Sequence, residues 1–419
     1  MRSTIVSAAA MAAAFAVAGI CPAQAATNST PYSFTGQADG GFPHGGVIAD
    51  ASGNLYGTAS SDGTDHSGVV YKLTPPAQGQ TAWTQTTLYT FTGGADGATP
   101  YAGLFMDASG ALYGTTYAGG GASGDGVVFK LTPPAQGQTN WTQTVLWSFT
   151  GGNDGGEPIC TLIQDSSGNL YGTTTLGGSG VVGTVFELSP PAQGQTAWTE
   201  SVLYNFTGNN DGGEPYGNVL FGSNGALFGT SAGYGQYNYG TVYRLTAPKR
   251  HGHAWDFHLL HAFSGGTDGE VPRDGLISDS SGTLYGTTAG FDNSQGSVFQ
   301  LTSKNGKKWT EKNLYNFSGQ GFTGNGPWAT VSVDASGALY GTTLGVGDSA
   351  NGEVFKLTPP KHRKGSWTES VLMAFPGGAG SQFPYSTVLV GPNGTLFGTS
   401  SGSAGQNGFF PGNVWEIAQ

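Results

Sequence analysis

The chain has 419 residues, of which 74 are Gly, 12% are aromatic and only 10% are charged. Gly stands well above its usual share of about 7% without any Gly-X-Y period, which excludes collagen, and the aromatic content excludes a disordered chain. A formal net charge of −11 argues against nucleic acid as a partner.

Residues 1–25 read as a cleavable signal peptide. Arg2 supplies the positive start, Ile5 to Ile20 is apolar, and Ala23-Gln24-Ala25 is a small-x-small cleavage site. The mature chain is expected to begin at Ala26 and to be secreted or periplasmic. No later stretch is long and apolar enough for a transmembrane segment. Once Cys21 leaves with the leader, Cys160 is alone, and its ICTLI setting suits a small buried hydrophobe.

A ten-residue stretch then recurs: DASGNLYGTA from Asp50, DASGALYGTT from Asp107, DSSGNLYGTT from Asp165, DSSGTLYGTT from Asp279 and DASGALYGTT from Asp334. Looser copies are GSNGALFGTS from Gly222 and GPNGTLFGTS from Gly391. Their leucines, Leu55, Leu112, Leu170, Leu227, Leu284, Leu339 and Leu396, are spaced by 57, 58, 57, 57, 55 and 57 residues. Each unit reads as four strands, a to d. In the second unit these are Ala102 to Met106, Ala111 to Thr115, Gly126 to Leu131 and Trp141 to Phe149, separated by Gly, Pro, Asp and Ser. The repeated stretch is the a-to-b hairpin. Its Asp bonds backbone two residues on, and its Gly supplies a positive φ. Gly172 and its equivalents allow a close approach of neighbouring strands or blades.

Four-stranded units of this length point to a β-propeller. The last unit stops at strand c, Gly412 to Ile417, while PYSFTG from Pro31 matches the end of a strand d. Six Trp (83, 141, 198, 255, 309 and 367) open six d strands, and the seventh is missing. The expected fold is therefore all-β: one seven-bladed propeller over 26–419, with antiparallel four-stranded blades and a ring closed by the N-terminal strand. The run FTGGxDGxxPxxGLxxDxxGxLYGTTxxGGxxGxGxVFxL resembles the GloVer tandem repeat family of exported bacterial proteins. That resemblance implies a secreted or surface protein and carries no activity residue by residue. Members often end in a sorting or anchoring tail, whereas this chain ends in EIAQ after strand c.

In such a ring the d-to-a and b-to-c loops share one face, at the mouth of the central channel. Three features fall on this plan. First, the d-to-a loop carries Asp39, Asp96, Asp154, Asp211 or Asp268 before a Pro, with Glu157, Glu214 and Glu270 nearby. The plain reading is an Asp-Gly turn. The sharper reading is a carboxylate cluster holding Ca²⁺ or serving as an acid/base pair. Second, the residue after the Pro varies around the ring: His44, Tyr101, Ile159, Tyr216, Arg273, Trp328 and Tyr385. Flat rings beside Arg273 suit a sugar. Tyr234 and Tyr237 in the b-to-c loop of the fourth unit extend this set. Third, the c-to-d loops of the last units hold Lys249, Arg250, Lys304, Lys307, Lys308, Lys361, Arg363 and Lys364 on the other face. They are either a solvated surface or a salt-sensitive contact with an anionic surface.

No HExxH, CxxC pair, P-loop or strand-linked GxGxxG is present, and no cofactor is indicated. The expectation is a non-enzymatic propeller that binds an extracellular carbohydrate or similar ligand at the channel mouth. The alternative is a polysaccharide lyase or hydrolase using Asp154, Glu157, Asp211, Glu214, Asp268, Arg273 and Tyr216. A third reading is an envelope scaffold for other proteins.

Overall fold

A computed structural model describes residues 27–418 apart from 62, 64, 250–253, 291–294, 318–325, 346–350, 363–364, 376–382 and 406–407. The expected leader, Arg250, Arg363 and Lys364 lie outside the described residues. Seven four-stranded antiparallel sheets follow one another as blades, and the chain order within each sheet is unbroken in blades 1 to 6. Blade 2 consists of Phe105–Met106, Leu112–Thr116, Val127–Thr132 and Thr142–Ser148. Blade 7 takes Leu389–Val390, Leu396–Ser400 and Asn413–Ala418 from the end of the chain and Thr27–Ser33 from its start. Thr27 pairs with Ala418 and Ser33 with Asn413, so the N-terminal strand closes the ring as the truncated seventh unit implied.

The repeated ten residues each have a job in this ring. Asp165 Oδ1 accepts the backbone N–H groups of Ser167 and Asn169 at 2.8 and 2.9 Å. Its Oδ2 accepts the Tyr171 hydroxyl at 3.1 Å, so the turn is tied to the strand that follows it. Gly168 closes the turn at φ 87°, where a Cβ would be strained. Blades 4 and 7 have Gly222 and Gly391 in place of the Asp, and there the Tyr becomes Phe228 and Phe397. At this position the tyrosine hydroxyl occurs only where a carboxylate receives it. Gly172 faces Phe186 across the b–c ladder, and a Cβ on it would sit 2.6 Å from the Phe186 ring. The close approach expected there is thus an aromatic side chain lying over glycine on the adjacent strand.

The Thr that follows this Gly joins one blade to the next. Thr58 Oγ1 donates to the Ala102 carbonyl at 2.8 Å, and its equivalents repeat the bond around the ring. Thr399 donates to the Gly45 carbonyl at 3.1 Å and completes the seventh junction. The apolar core is divided in the same way, into seven clusters that each lie between two neighbouring blades. Between blades 3 and 4, for example, Tyr171, Val185 and Phe206 pack on Val219, Leu227 and Tyr243, with Trp255 at the edge. Burying such side chains contributes about 1.5–3 kcal/mol each.

One expectation needs correction. The sequence pattern gives strand a five residues, but only two in each blade pair with strand b. The chain leading into it runs against the neighbouring blade instead. A Cβ on Gly45 would lie 2.6 Å from the Ala102 carbonyl carbon and oxygen and from the Gly103 nitrogen. Backbones this close at the axis leave no space for a longer ladder.

Candidate functional site

The loop from strand d to strand a places one side chain per blade at the channel mouth, and it does so by a strained corner. Six residues that precede the Pro have left-handed backbone: Phe42, Thr99, Glu157, Glu214, Val271 and Phe383, all near φ 55°. Such conformations cost roughly 1–3 kcal/mol for a residue with a Cβ and persist only when their surroundings impose them. Here the preceding blade imposes them. The Thr99 N–H donates to the Ser67 carbonyl at 2.8 Å and Glu157 N–H to Asp125 at 2.8 Å. The Pro ring then packs on a positive-φ glycine of that blade. A Cβ on Gly68 would lie 2.6 Å from Pro100 Cδ, and one on Gly412 would lie 2.8 Å from Pro43 Cδ.

The residue after the Pro therefore points into the mouth in every blade. His44, Tyr101, Ile159, Tyr216, Arg273, Trp328 and Tyr385 all line one cavity of about 330 Å³. Their rings form a nearly continuous chain. The His44 ring centroid is 4.9 Å from that of Tyr101 and 5.1 Å from that of Tyr385. Tyr385 meets Trp328 edge to face at 5.3 Å. The Arg273 guanidinium lies 4.1 Å over the Trp328 ring and 5.3 Å over the Tyr216 ring, and its Nε has no hydrogen-bond partner. Burial lowers the His44 pKa to about 4, so its imidazole is neutral at physiological pH. Its Nδ1 is 2.9 Å from the Phe42 carbonyl, which can only accept, so Nδ1 carries the proton. Burial also raises the phenols of Tyr101, Tyr216 and Tyr385, which remain protonated donors.

Sequence reasoning missed one carboxylate of the cavity, Asp274. Its Oδ1 accepts the Gly275 N–H at 2.7 Å, and its Oδ2 accepts the Thr330 N–H of the next blade at 2.9 Å. Burial pushes its pKa up in spite of these bonds. The signal was available in the aligned repeats, where the equivalent positions are Gly45, Ala102, Cys160, Gly217, Ala329 and Ser386. Asp274 is the one charged residue among them. Cys160 also faces the cavity and is fully buried, as its apolar setting implied.

The other expected site residues are placed elsewhere. Asp39, Asp96, Asp154, Asp211 and Asp268 do not line the cavity. Each accepts the backbone N–H and hydroxyl of the Thr or Ser four residues before it, which makes it the clasp of its own loop. Tyr32, Tyr89 and Tyr204 donate to three of them from strand d. The Asp-Gly turn is thus the role the geometry displays, and a carboxylate ring around the channel is not formed. Glu157 and Glu214 stand at the rim, where their charge raises the Tyr117 and Tyr216 phenols further after burial. Tyr234 and Tyr237 are 36% and 47% exposed and do not line the cavity. Lys249, Lys304, Lys307, Lys308 and Lys361 are exposed in the c-to-d loops. A second cleft of about 520 Å³, lined by Arg244, Asn305 and Trp309, opens between blades 4 and 5.

Fold and site together define a seven-bladed β-propeller with one irregular cavity where the inner strands begin. The chain belongs to the Gloeobacter/Verrucomicrobia repeat family, whose pattern matches residues 17–143, 107–299 and 251–418. No curated protein matches it. Among solved structures it is similar to a provisional 6-phosphogluconolactonase of Bacteroides uniformis, with 14% identity, a TM-score of 0.51, and coverage of 86% of this chain and 94% of that one. It is also similar to the polysaccharide lyase Uly1 (11% identity, TM-score 0.48, 90% of each chain). A provisional glucose dehydrogenase from Thermus thermophilus aligns at 14% identity and a TM-score of 0.44, over 94% of this chain and 99% of that one. At such identities the likeness speaks to the fold alone. Among the described residues no helix is long and apolar enough to cross a membrane.

Proposed function

We propose that the protein is an exported, non-enzymatic propeller that binds a carbohydrate in the channel-mouth cavity. One observation carries the reading: seven side chains of five kinds converge on a single cavity while the frame around them repeats. The cavity offers faces of Trp328 and three Tyr for stacking, phenol and carboxylate groups for sugar hydroxyls, and one cation. Affinity electrophoresis through neutral and anionic polysaccharides tests it. Retardation by one polymer supports the reading, and mobility unchanged across the panel overturns it.

A second reading rests on the contact between Arg273 and Tyr216 in the same cavity. A uronic-acid lyase needs a group that takes the C5 proton and a cation that neutralises the sugar carboxylate. Incubating the retained polymer with the protein separates the two: chain cleavage with a new unsaturated end selects the lyase, and intact polymer selects the binder.

A further inference from the structure

Five of the seven blade junctions repeat a three-residue arrangement built on the loop Asp outside the cavity, and one of the five departs from it in kind. Its first member is on strand d, opposite the second residue of strand c. Its second is the loop Asp seven residues later. Its third is on strand d of the next blade. These are Tyr32, Asp39 and Gln85 at the closing junction, and Tyr89, Asp96 and Gln143 at the next. In both, the Tyr hydroxyl donates to the Asp carboxylate, and the Gln amide donates to the Asp carbonyl at 3.5 and 3.2 Å. Trp147, Asp154 and Glu200 follow, then Tyr204, Asp211 and Phe257.

Between blades 4 and 5 both neutral partners are replaced. His261 stands for the Tyr and Glu311 for the Gln. The result is a nitrogen and two carboxylate donors whose ligand atoms all lie within 4.8 Å of one another. His261 Nε2 is 3.0 Å from Asp268 Oδ1. Asp268 Oδ2 is held by the Ser264 N–H at 2.7 Å and its hydroxyl at 2.9 Å, which fixes the direction of Oδ1. The Glu311 Oε1 is shut away from solvent and has no hydrogen-bond partner. A carboxylate oxygen buried in this way, beside a second carboxylate, is costly unless a cation or a proton joins it. Glu200 and Glu369 have equally unpartnered oxygens, but the position that His261 fills is held there by Trp147 and Tyr315, neither of which offers an imidazole nitrogen. His261 and Asp268 are 20% and 24% exposed, so an ion has a path in.

We propose that His261, Asp268 and Glu311 hold a divalent transition-metal ion of the Zn²⁺ type at the junction of blades 4 and 5. An imidazole with two carboxylates, leaving a place for water, suits Zn²⁺. Ca²⁺ prefers six to eight oxygens and has too few here. Such an ion would join two blades at the rim, away from the channel-mouth cavity, and is independent of the carbohydrate reading.

The protein's own repeats supply the test. His261→Tyr recreates the Tyr–Asp pair of other junctions, and Glu311→Gln recreates their Gln, so neither change is foreign to the fold. The purified chain is titrated with Co²⁺, read by its visible absorption, and the bound ion is competed with Zn²⁺. The expected result is one Co²⁺ per chain, displaced by Zn²⁺. Each variant should weaken binding by about 100-fold or more, at or beyond what second-shell changes cost, with an unchanged circular dichroism spectrum. No stoichiometric binding by the wild-type chain, or wild-type affinity in either variant, overturns the proposal.

Discussion

Tyr71 and Tyr243 sit in the third strand of blades 1 and 4 with zero exposure, and neither hydroxyl has a hydrogen-bond partner. Blades 2, 3, 5 and 6 carry Phe129, Phe186, Phe299 and Phe355 at this position. Replacing either Tyr with Phe removes a stranded hydroxyl and keeps the ring over Gly57 or Gly229. A buried hydroxyl without a partner costs about 1–3 kcal/mol. Each single variant should therefore be more stable by that amount. The sites are in separate interblade clusters, so the double variant should gain about 2–6 kcal/mol. With an unfolding entropy of about 2.1 cal/mol/K per residue over roughly 390 residues, each change raises Tm by about 1–4 °C. Differential scanning calorimetry of the four proteins measures this. An unchanged or lowered Tm in both single variants would refute the reasoning, because it would mean that the hydroxyls are satisfied.

Tyr171→Phe is expected to act in the opposite direction, since that hydroxyl donates to Asp165; urea unfolding should show a loss of about 0.5–1.5 kcal/mol. Thr399→Val removes the threonine bond between blades 7 and 1 and leaves the Gly45 carbonyl without that donor; a loss of about 1–3 kcal/mol is expected, again by urea unfolding. Burial, and then the charge of Asp154, raises the Glu200 pKa to about 7. A carboxyl whose folded pKa is raised gives stability that is complete below its unfolded pKa and is lost as pH rises through the folded one. Between about pH 4.5 and 7, Tm should thus fall in the wild type and fall less in Glu200→Gln, as followed by thermal melts. The Asp residues of the repeated turns behave conversely. Burial opposes their ionisation, but hydrogen bonds from the turn hold Asp50, Asp107, Asp165, Asp279 and Asp334 below the usual range. Stability from them is present above the ordinary carboxylate pKa and is lost as pH falls through their lower folded values, so Asp165→Asn should be less acid-sensitive than wild type in a pH titration of Tm.

Much of the fold was legible because the same local chemistry is written seven times. The Asp and Gly of the hairpin, the missing last strand and the matching N-terminal PYSFTG all act over short distances or by simple counting. The varied residue after each Pro was legible too, since a repeated frame makes an unrepeated position stand out. Strand a was harder to read. Its length depends on Gly45 meeting Ala102 and Gly103 of another blade, which no local pattern records. The loop aspartates left two readings open, and the contacts that choose between them are not local in every blade. Asp39 has the composition of a ligand, but its oxygens are taken by Thr35, Gln37 and Tyr32. Asp274 and the group of His261, Asp268 and Glu311 depend on contacts between blades. Such groups emerge only when one blade is compared with the next at the same position.

The central claim is that the channel-mouth cavity is the carbohydrate site. Its most direct test is a titration of the retained polysaccharide against the wild-type chain, Trp328→Ala, Tyr216→Ala and the exposed control Tyr237→Ala, which does not line the cavity. Loss of a stacking ring should weaken binding by about tenfold or more, since about 1.4 kcal/mol is a factor of ten. The account predicts that loss for Trp328→Ala and Tyr216→Ala and no change for Tyr237→Ala. Wild-type affinity in both cavity variants would contradict it.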